Sequence, residues 1–301
     1  MRISTSQLFQ QRVEAMQMQQ QRLARTEMQL ATGKRLVSPS DDPAASLRNL
    51  QLADRKTQNV QFLENLDRAQ GRLELEDSAL ASGVNLLQRV CELAVGALNG
   101  TLSPGDLQSV GVEVSSLLDG LVAVANTQNA NGEYLFAGYQ TGGVPFTDGG
   151  AGNVSYSGDR GDLHLQVSPT RQLAVADNGA DVFMVVPASA GGNVSVFDVV
   201  NDFATALAAG NPQSSTLTDV DAAMDVLLSV RADVGSRLRA VDEQRDINTS
   251  FSLVIDREQA DIMDLDYTEA VSRFNRELLA FQASEQVFSK VQGLSLFNFI
   301  S

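Results

Sequence analysis

The apolar residues of this chain recur in steps of four and three over long stretches that contain no proline. In the first stretch they run through residues 62–97, and only Glu76 and Gly83 interrupt them. This spacing is typical of the seam of a coiled coil. Because proline breaks helix interiors and none lies between Pro43 and Pro104, the pattern predicts one long helix in this gap.

A second helix is predicted directly after the first. Ser103 and Pro104 form a helix start, with serine as the N-cap and proline in the first turn. The apolar stepping continues through residues 107–124, and Asn131-Gly132 supplies a C-terminal stop. The two helices are therefore predicted to form a hairpin from about residue 43 to residue 131.

The middle of the chain changes its period from helical to alternating. Residues 154–157 and 163–167 alternate by two, as half-buried strands do, and glycine-containing turns separate them. More than half of the 23 glycines lie between residues 132 and 192. We predict a small antiparallel β domain over about 135–195, followed by a helix over 196–209.

Helical patterns occupy both ends of the chain as well. One apolar stripe covers residues 220–241, a second covers residues 267–288, and a weaker one lies in the first 30 residues. The predicted fold is mainly α with an inserted β domain, in which both chain ends form a long-helix bundle and coiled coil. The predicted domains are a terminal coiled-coil assembly segment (1–42 plus 262–301), a helical bundle (43–134 plus 213–261) and a β-rich outer domain (135–212).

The two ends carry more apolar surface than a monomer is expected to bury. Residues 293–300 are dense in large hydrophobic side chains and follow the 267–288 stripe directly. Large exposed apolar surfaces usually mark protein–protein contacts. The alternative, that the tail folds back on its own bundle, stays open. The residues expected to form an assembly interface are Phe9, Val13, Met16, Leu23, Leu30, Tyr267, Val271, Phe274, Leu278, Phe281, Phe288, Leu294, Leu296 and Phe297.

The two chain ends carry opposite charges. Residues 1–35 carry six basic and two acidic side chains, whereas residues 261–301 carry six acidic and three basic ones. Exposed ion pairs contribute only about 0–1 kcal/mol each, so these charges are expected to set register and partner choice. The whole chain has a net charge of −15, which disfavours binding to nucleic acid and to anionic membranes.

The sequence offers little catalytic or metal-binding chemistry. It has one histidine, His164, and one cysteine, Cys91, so neither a zinc site nor an intrachain disulfide has the residues it needs. We expect no catalytic, cofactor or metal residues, and hence no enzyme. No continuous apolar run matches a cleaved signal peptide or a membrane span. On the residues alone, a cytosolic coiled-coil scaffold remains an alternative.

Three motifs, taken together, resemble the bacterial flagellin family. They are Thr32–Pro43 (TGKRLVSPSDDP), Gly132–Gly138 (GEYLFAG) and Phe288–Phe297 (FSKVQGLSLF), and they occur in the family's order along the chain. Their form is similar to the branch that joins hook and filament. The "GEYLFAG" run and the chain end argue against flagellin itself, which stays the alternative within the family.

The resemblance implies a structural component of the bacterial flagellum at the hook–filament junction, on which flagellin assembles. It implies secretion through the flagellar type III export apparatus without a cleaved signal peptide. The implied partners are copies of itself in a ring, hook-associated protein 1, flagellin and a cytosolic export chaperone. The terminal helices would then form the inner coiled-coil layer.

Overall fold

The computed structural model describes residues 5–150 and 152–300, without the side chains of residues 5, 6, 8, 9 and 291–300. Helices dominate the described chain, and short strands occupy only its middle. The elements in chain order are α1 (Thr5–Thr32), α2 (Pro43–Leu98), α3 (Pro104–Ala125), β1 (Phe146–Asp148), β2 (Val154–Tyr156), β3 (His164–Gln166), β4 (Gln172–Ala174), α4 (Gly179–Phe183), β5 (Val186–Pro187), β6 (Asn193–Val194), α5 (Val196–Ala208), α6 (Ser215–Met263) and α7 (Tyr267–Ile300). The predicted fold class, mainly α with an inserted β region, is confirmed.

The described chain divides into two compact units. The terminal unit comprises residues 1–58 and 250–301, and the central unit comprises residues 59–249. Because α2 and α6 are long, each contributes residues to both units. The three-part division expected from the sequence stays a prediction.

The seam of α2 forms one wall of the core of the central unit. Every predicted seam position from residue 66 to residue 97 is buried, including Glu76 and Gly83. Facing residues of α6, among them Val220, Leu227 and Val234, are also fully buried in the same core. The four-and-three spacing therefore identified the buried face of α2 correctly.

Helix α3 begins where the sequence predicts and ends earlier than predicted. Its start is a capping box, in which Ser103 accepts a hydrogen bond from the Asp106 amide and the Asp106 carboxylate accepts one from Ser103. The helix ends at Ala125, not near residue 131, because the Asn126 side chain turns to the backbone of Phe146. It accepts from the Phe146 N–H at 3.0 Å and donates to the Phe146 carbonyl at 2.8 Å. These two bonds join the helix end to the first strand.

The β-rich middle consists of three antiparallel two-stranded ribbons. β1 pairs with β2, β3 with β4, and β5 with β6, and no larger sheet forms among the described residues. Strands were predicted at residues 154–157 and 163–167, and β2 and β3 occupy these positions. Since isolated two-stranded ribbons are marginally stable, this region depends on side-chain packing.

A cluster of aromatic rings supplies that packing. The Phe146 ring centroid lies 5.5 Å from that of Phe183 and 5.3 Å from that of Phe197. Gly179 opens α4 against this cluster, where a β-carbon would lie 2.6 Å from the Phe146 ring and 2.8 Å from the Phe136 carbonyl oxygen. Only glycine fits this position without displacing the rings.

Helices α3 and α5 pack closely in the central unit. Gly111 of α3 permits the approach, because a β-carbon there would lie 3.4 Å from Cβ of Leu207 in α5. Among the described helices, α3 is long and apolar enough to span a membrane by length and composition. Its buried face, which includes Leu107, Val114 and Leu121, belongs to the core of this unit.

Candidate assembly surfaces

The terminal helices α1 and α7 pack against each other within the terminal unit. One partly buried polar contact links them in this register: the Thr26 hydroxyl donates to the Glu277 carboxylate at 2.7 Å. Thr26 is only 3% exposed, so shifting the helices would leave a buried hydroxyl without its partner.

Most of the described interface candidates lie along this helix pair with most, but not all, of their surface covered. Tyr267 and Val271 differ, because they are 55% and 46% exposed. The half-buried candidates are Val13, Met16, Leu23 and Leu30 on α1 and Phe274, Leu278, Phe281 and Phe288 on α7. The pairing within one chain therefore brings these eight residues into the same helix pair and leaves part of each one accessible.

Four further candidates lie outside the described side chains. They are Phe9, Leu294, Leu296 and Phe297. Their place in the interface stays a prediction.

Other apolar side chains on the same helices are not covered by the pairing. Met18 and Met28 on α1 are 53% and 52% exposed, and Leu279 and Val287 on α7 are 69% and 57% exposed. These four residues fall between the seam positions, so the four-and-three spacing does not single them out. The helix pair thus presents apolar surface in more than one direction.

The turn after α1 is tied to the end of α6. The Arg35 N–H donates to the Met263 carbonyl at 2.7 Å, and the Leu265 N–H donates to the Gly33 carbonyl at 3.0 Å. The Arg35 guanidinium also donates to the Ile262 carbonyl at 2.9 Å. Backbone bonds on both sides hold this turn in one geometry.

The Ser-Pro-Ser-Asp-Asp-Pro motif has a local structural explanation. The Asp41 carboxylate accepts from the N–H groups of Val37 and Ser38 at 3.1 and 3.0 Å. The bond from Ser38 is the main reason that the pKa of Asp41 lies below its ordinary value, and the Arg25 ion pair at 2.6 Å acts in the same direction. Asp42 accepts from the Ala45 N–H at 3.0 Å and so caps the start of α2.

An apolar groove of about 530 Å³ lies beside this motif, within the terminal unit. Leu47 and Leu50 on its wall are 58% and 59% exposed. Sequence reasoning missed them, because both lie before the α2 seam begins. Two leucines three residues apart in the first turns of α2 were the available signal.

The described residues contain no cluster of three or more histidine, cysteine, aspartate or glutamate side chains arranged to hold a metal ion. Cys91 is half-buried, with its sulfur 3.9 Å from an Asp221 carboxylate oxygen. Desolvation and, secondarily, this carboxylate raise the pKa of the Cys91 thiol. A raised pKa disfavours the thiolate that a nucleophile requires.

Two family models match the chain. The model of the bacterial flagellin N-terminal helical region matches residues 3–141, and the model of the C-terminal helical region matches residues 217–300. The chain therefore belongs to the bacterial flagellin family, which is a family of structural proteins of the flagellum.

Relatives of known name divide this family further. The chain is 30% identical to flagellar hook-associated protein 3 of Escherichia coli, over 99% of both chains. It is 25% identical to flagellin of Bacillus subtilis, over 87% of this chain and 86% of the flagellin. The structure of a putative flagellar hook-associated protein from Vibrio parahaemolyticus, 20% identical, has the same fold, with a TM-score of 0.67 over 74% of this chain and 100% of that one.

Proposed function

We propose that this chain is a structural component of the bacterial flagellum that forms the junction between hook and filament, and that flagellin assembles on it. The observation that carries the proposal is the match to hook-associated protein 3, which extends over 99% of both chains at 30% identity. A match over the full length includes the β-rich middle, which the two helical-region models leave uncovered between residues 141 and 217.

The uncovered apolar faces of the terminal unit support a role in assembly. Two helices packed side by side can each cover only one face of the other. Leu279 and Val287 accordingly remain exposed on α7, and Met18 and Met28 remain exposed on α1. We propose that neighbouring copies, arranged in a ring, cover these faces together with the fourteen interface residues named from the sequence.

The charges of the terminal helices support the same role. Among the described side chains, none of the ion pairs joins α1 to α7, although residues 1–35 are mainly basic and residues 261–301 are mainly acidic. Arg12 and Arg22 on α1 and Glu285 on α7 therefore remain available to other partners. We propose that such charges set the register between neighbouring subunits, which is where electrostatic complementarity contributes most.

The remaining partners follow from position in the flagellum. Hook-associated protein 1 would lie on the hook side and flagellin on the filament side. The chain would be secreted by the flagellar type III export apparatus without a cleaved signal peptide. A cytosolic chaperone would shield the apolar C-terminal helix until export, since an unassembled apolar face promotes aggregation.

Flagellin is the second candidate function. The 25% identity to the Bacillus subtilis flagellin over most of both chains favours it, as does the match of this chain to the models of the flagellin terminal helical regions. In that case the subunit would build the body of the filament and would be present in far larger amounts. A cytosolic scaffold is disfavoured by the family match.

A clean deletion in the source bacterium distinguishes these functions. The cells would be examined by electron microscopy, and flagellin in the medium would be measured by immunoblot. The junction proposal predicts bare hooks and flagellin released into the medium, with filaments restored when the wild-type chain is supplied again. Absence of both filaments and released flagellin would identify the chain as flagellin. Intact filaments on the deletion strain would overturn both functions.

A further inference from the structure

A carboxyl group interrupts the apolar seam of the central unit. Glu76 of α2 is 1% exposed and lies between buried leucines one turn away on either side. One of its carboxyl oxygens accepts from the Asp177 backbone N–H at 3.2 Å. The other has no hydrogen-bond partner among the described residues. An ionised carboxylate in this position is costly, because burial removes its hydration without replacing all of its hydrogen bonds.

Asp177, Arg237 and Arg72 are the charged neighbours of this carboxyl group, and Glu133 is the ion-pair partner of Arg72. With Glu76 we name these four side chains the Glu76 cluster. The Asp177 carboxylate, from the segment between β4 and α4, forms an ion pair with Arg237 of α6. Arg72, one turn before Glu76 on α2, donates to a backbone carbonyl 3.3 Å away and lies 3.8 Å from Glu133. Buried guanidinium nitrogens of Arg72 and Arg237 also lack hydrogen-bond partners among the described residues.

The protonation state of Glu76 follows from these neighbours. Fully ionised, the cluster places three carboxylates against two guanidinium groups, with Glu76 the most deeply buried of the acids. Desolvation is the largest cause that raises the pKa of Glu76, to about 8, and the charge of Asp177 adds to it. Arg237 opposes the rise without cancelling it. At neutral pH the cluster therefore holds Glu76 in its neutral form.

We propose that Glu76 holds the segment 175–178 against helix α2 when its carboxyl group is protonated and releases the segment when it is ionised. The protonated carboxyl lies beside Asp177 without repulsion and keeps its bond to the Asp177 N–H. Loss of the proton creates a buried carboxylate at Glu76 next to the half-buried carboxylate of Asp177, and the segment then moves away from α2 to regain solvent.

The segment 175–178 transmits this change to the β-rich region. Asn178, its last residue, caps α4 by accepting from the Asp181 N–H at 3.0 Å. Helix α4 ends at Phe183, whose ring lies 5.1 Å from Phe136 in the aromatic cluster. Loosening of this segment therefore weakens the attachment of the β-rich region, while the leucines of the α2 seam remain packed.

The direction of the pH dependence follows from the raised pKa. The stability contributed by neutral Glu76 is fully present below the ordinary glutamate pKa of 4.5 and is lost as the pH rises through about 8. Between these values unfolding releases one proton, so the unfolding equilibrium constant increases by up to about tenfold per pH unit.

The test compares the full-length wild type with Glu76→Gln and with the control Glu74→Gln. Glu74 is exposed on the same helix, where it accepts a bond from Gln70. Guanidinium unfolding would be followed by circular dichroism from pH 5.5 to 9. We expect the ratio of wild-type to Glu76→Gln unfolding constants to rise by more than tenfold over this range, whereas Glu74→Gln should follow the wild type. Parallel curves for Glu76→Gln and wild type would overturn the proposal.

A second measurement covers the case in which Glu76→Gln does not fold. Hydrogen exchange of the wild-type amides at 177–183, corrected for intrinsic rates, would be compared at pH 6 and pH 9. The proposal predicts a loss of protection there at pH 9 with protection of the α2 seam retained. Equal protection of residues 177–183 at both pH values would contradict it. Neither measurement depends on assembly, so failure here leaves the junction proposal intact.

Discussion

The central unit buries its apolar residues, whereas the terminal unit leaves much of its apolar surface in contact with solvent. The continuous hydrophobic core begins at Leu66 and ends at Val241, entirely within the central unit. Among the described side chains of the terminal unit, the buried apolar residues are Leu36, Leu52, Ile255, Leu265 and Ala270. Both units contain apolar residues at the same four-and-three spacing, but a single chain buries these residues more completely in the central unit.

The difference arises from the number of packing partners. In the central unit the α2 seam meets α6 and shares one core with α3, α5 and the aromatic cluster. In the terminal unit α1 and α7 mainly have each other. Buried apolar surface contributes about 25 cal/mol per Å², so a helix pair with uncovered faces gains stability when neighbouring copies cover them. We therefore expect the central unit to supply most of the folding stability, and we propose that the terminal unit serves assembly.

The largest expected effect comes from a charge placed in the terminal helix pair. Phe281→Asp is expected to abolish filament formation in the complemented deletion strain, because it puts an ionised group on an apolar contact face. The purified variant should keep the melting transition of the central unit, measured by circular dichroism. Asn275→Asp, which adds the same charge at an exposed position of α7, is the control and should support filaments. A normal number of filaments with Phe281→Asp would show that Phe281 is not an interface residue.

A cavity in the core of the central unit is expected to act on stability and not on the assembly surface. Leu87→Ala, at a fully buried seam position, is expected to lower the free energy of unfolding by about 2–5 kcal/mol. Leu228→Ala on α6 is the control, because Leu228 is 44% exposed. Guanidinium unfolding of the two variants measures the difference. Equal losses would mean that the seam is not the main source of stability.

Hydrogen exchange of the dilute monomer compares the two units directly. Amides in the middle of α1 and α7 are expected to exchange roughly a hundredfold faster than those of residues 66–90 in α2, because fewer buried contacts hold the terminal pair together. The rates would be read by mass spectrometry after proteolysis. Strong protection at both chain ends of the monomer would show that the terminal pair is stable without neighbours.

The smallest expected effect is local to the start of α3. Ser103→Ala removes the hydrogen bond to the Asp106 N–H and should cost about 1 kcal/mol of stability. Ser116→Ala, at an exposed position within the same helix, serves as the control. Both variants should assemble normally, since α3 belongs to the central unit. Denaturant midpoints provide the measurement, and an unchanged midpoint for Ser103→Ala would show that the cap contributes little.

Local patterns along the chain were enough for several features. Proline-free heptads located α2 and its buried face, Ser103-Pro104 located the start of α3, and alternation located β2 and β3. These features depend on residues near each other in sequence, so spacing and backbone preferences suffice to predict them. The three motifs at Thr32–Pro43, Gly132–Gly138 and Phe288–Phe297 likewise identified the family, because each is a short local segment.

Other features depend on residues far apart in the chain and required the tertiary structure. The Asn126 bonds to Phe146 end α3 early, and the Glu76 cluster joins α2, α6 and the segment before α4. A heptad pattern treats Glu76 only as a polar interruption, because the cost and the partners of a buried charge are set by groups up to 161 positions away. Likewise, the spacing shows that the terminal stripes are apolar. Only the tertiary packing decides which part of each side chain is buried within one chain and which part remains accessible to a neighbour.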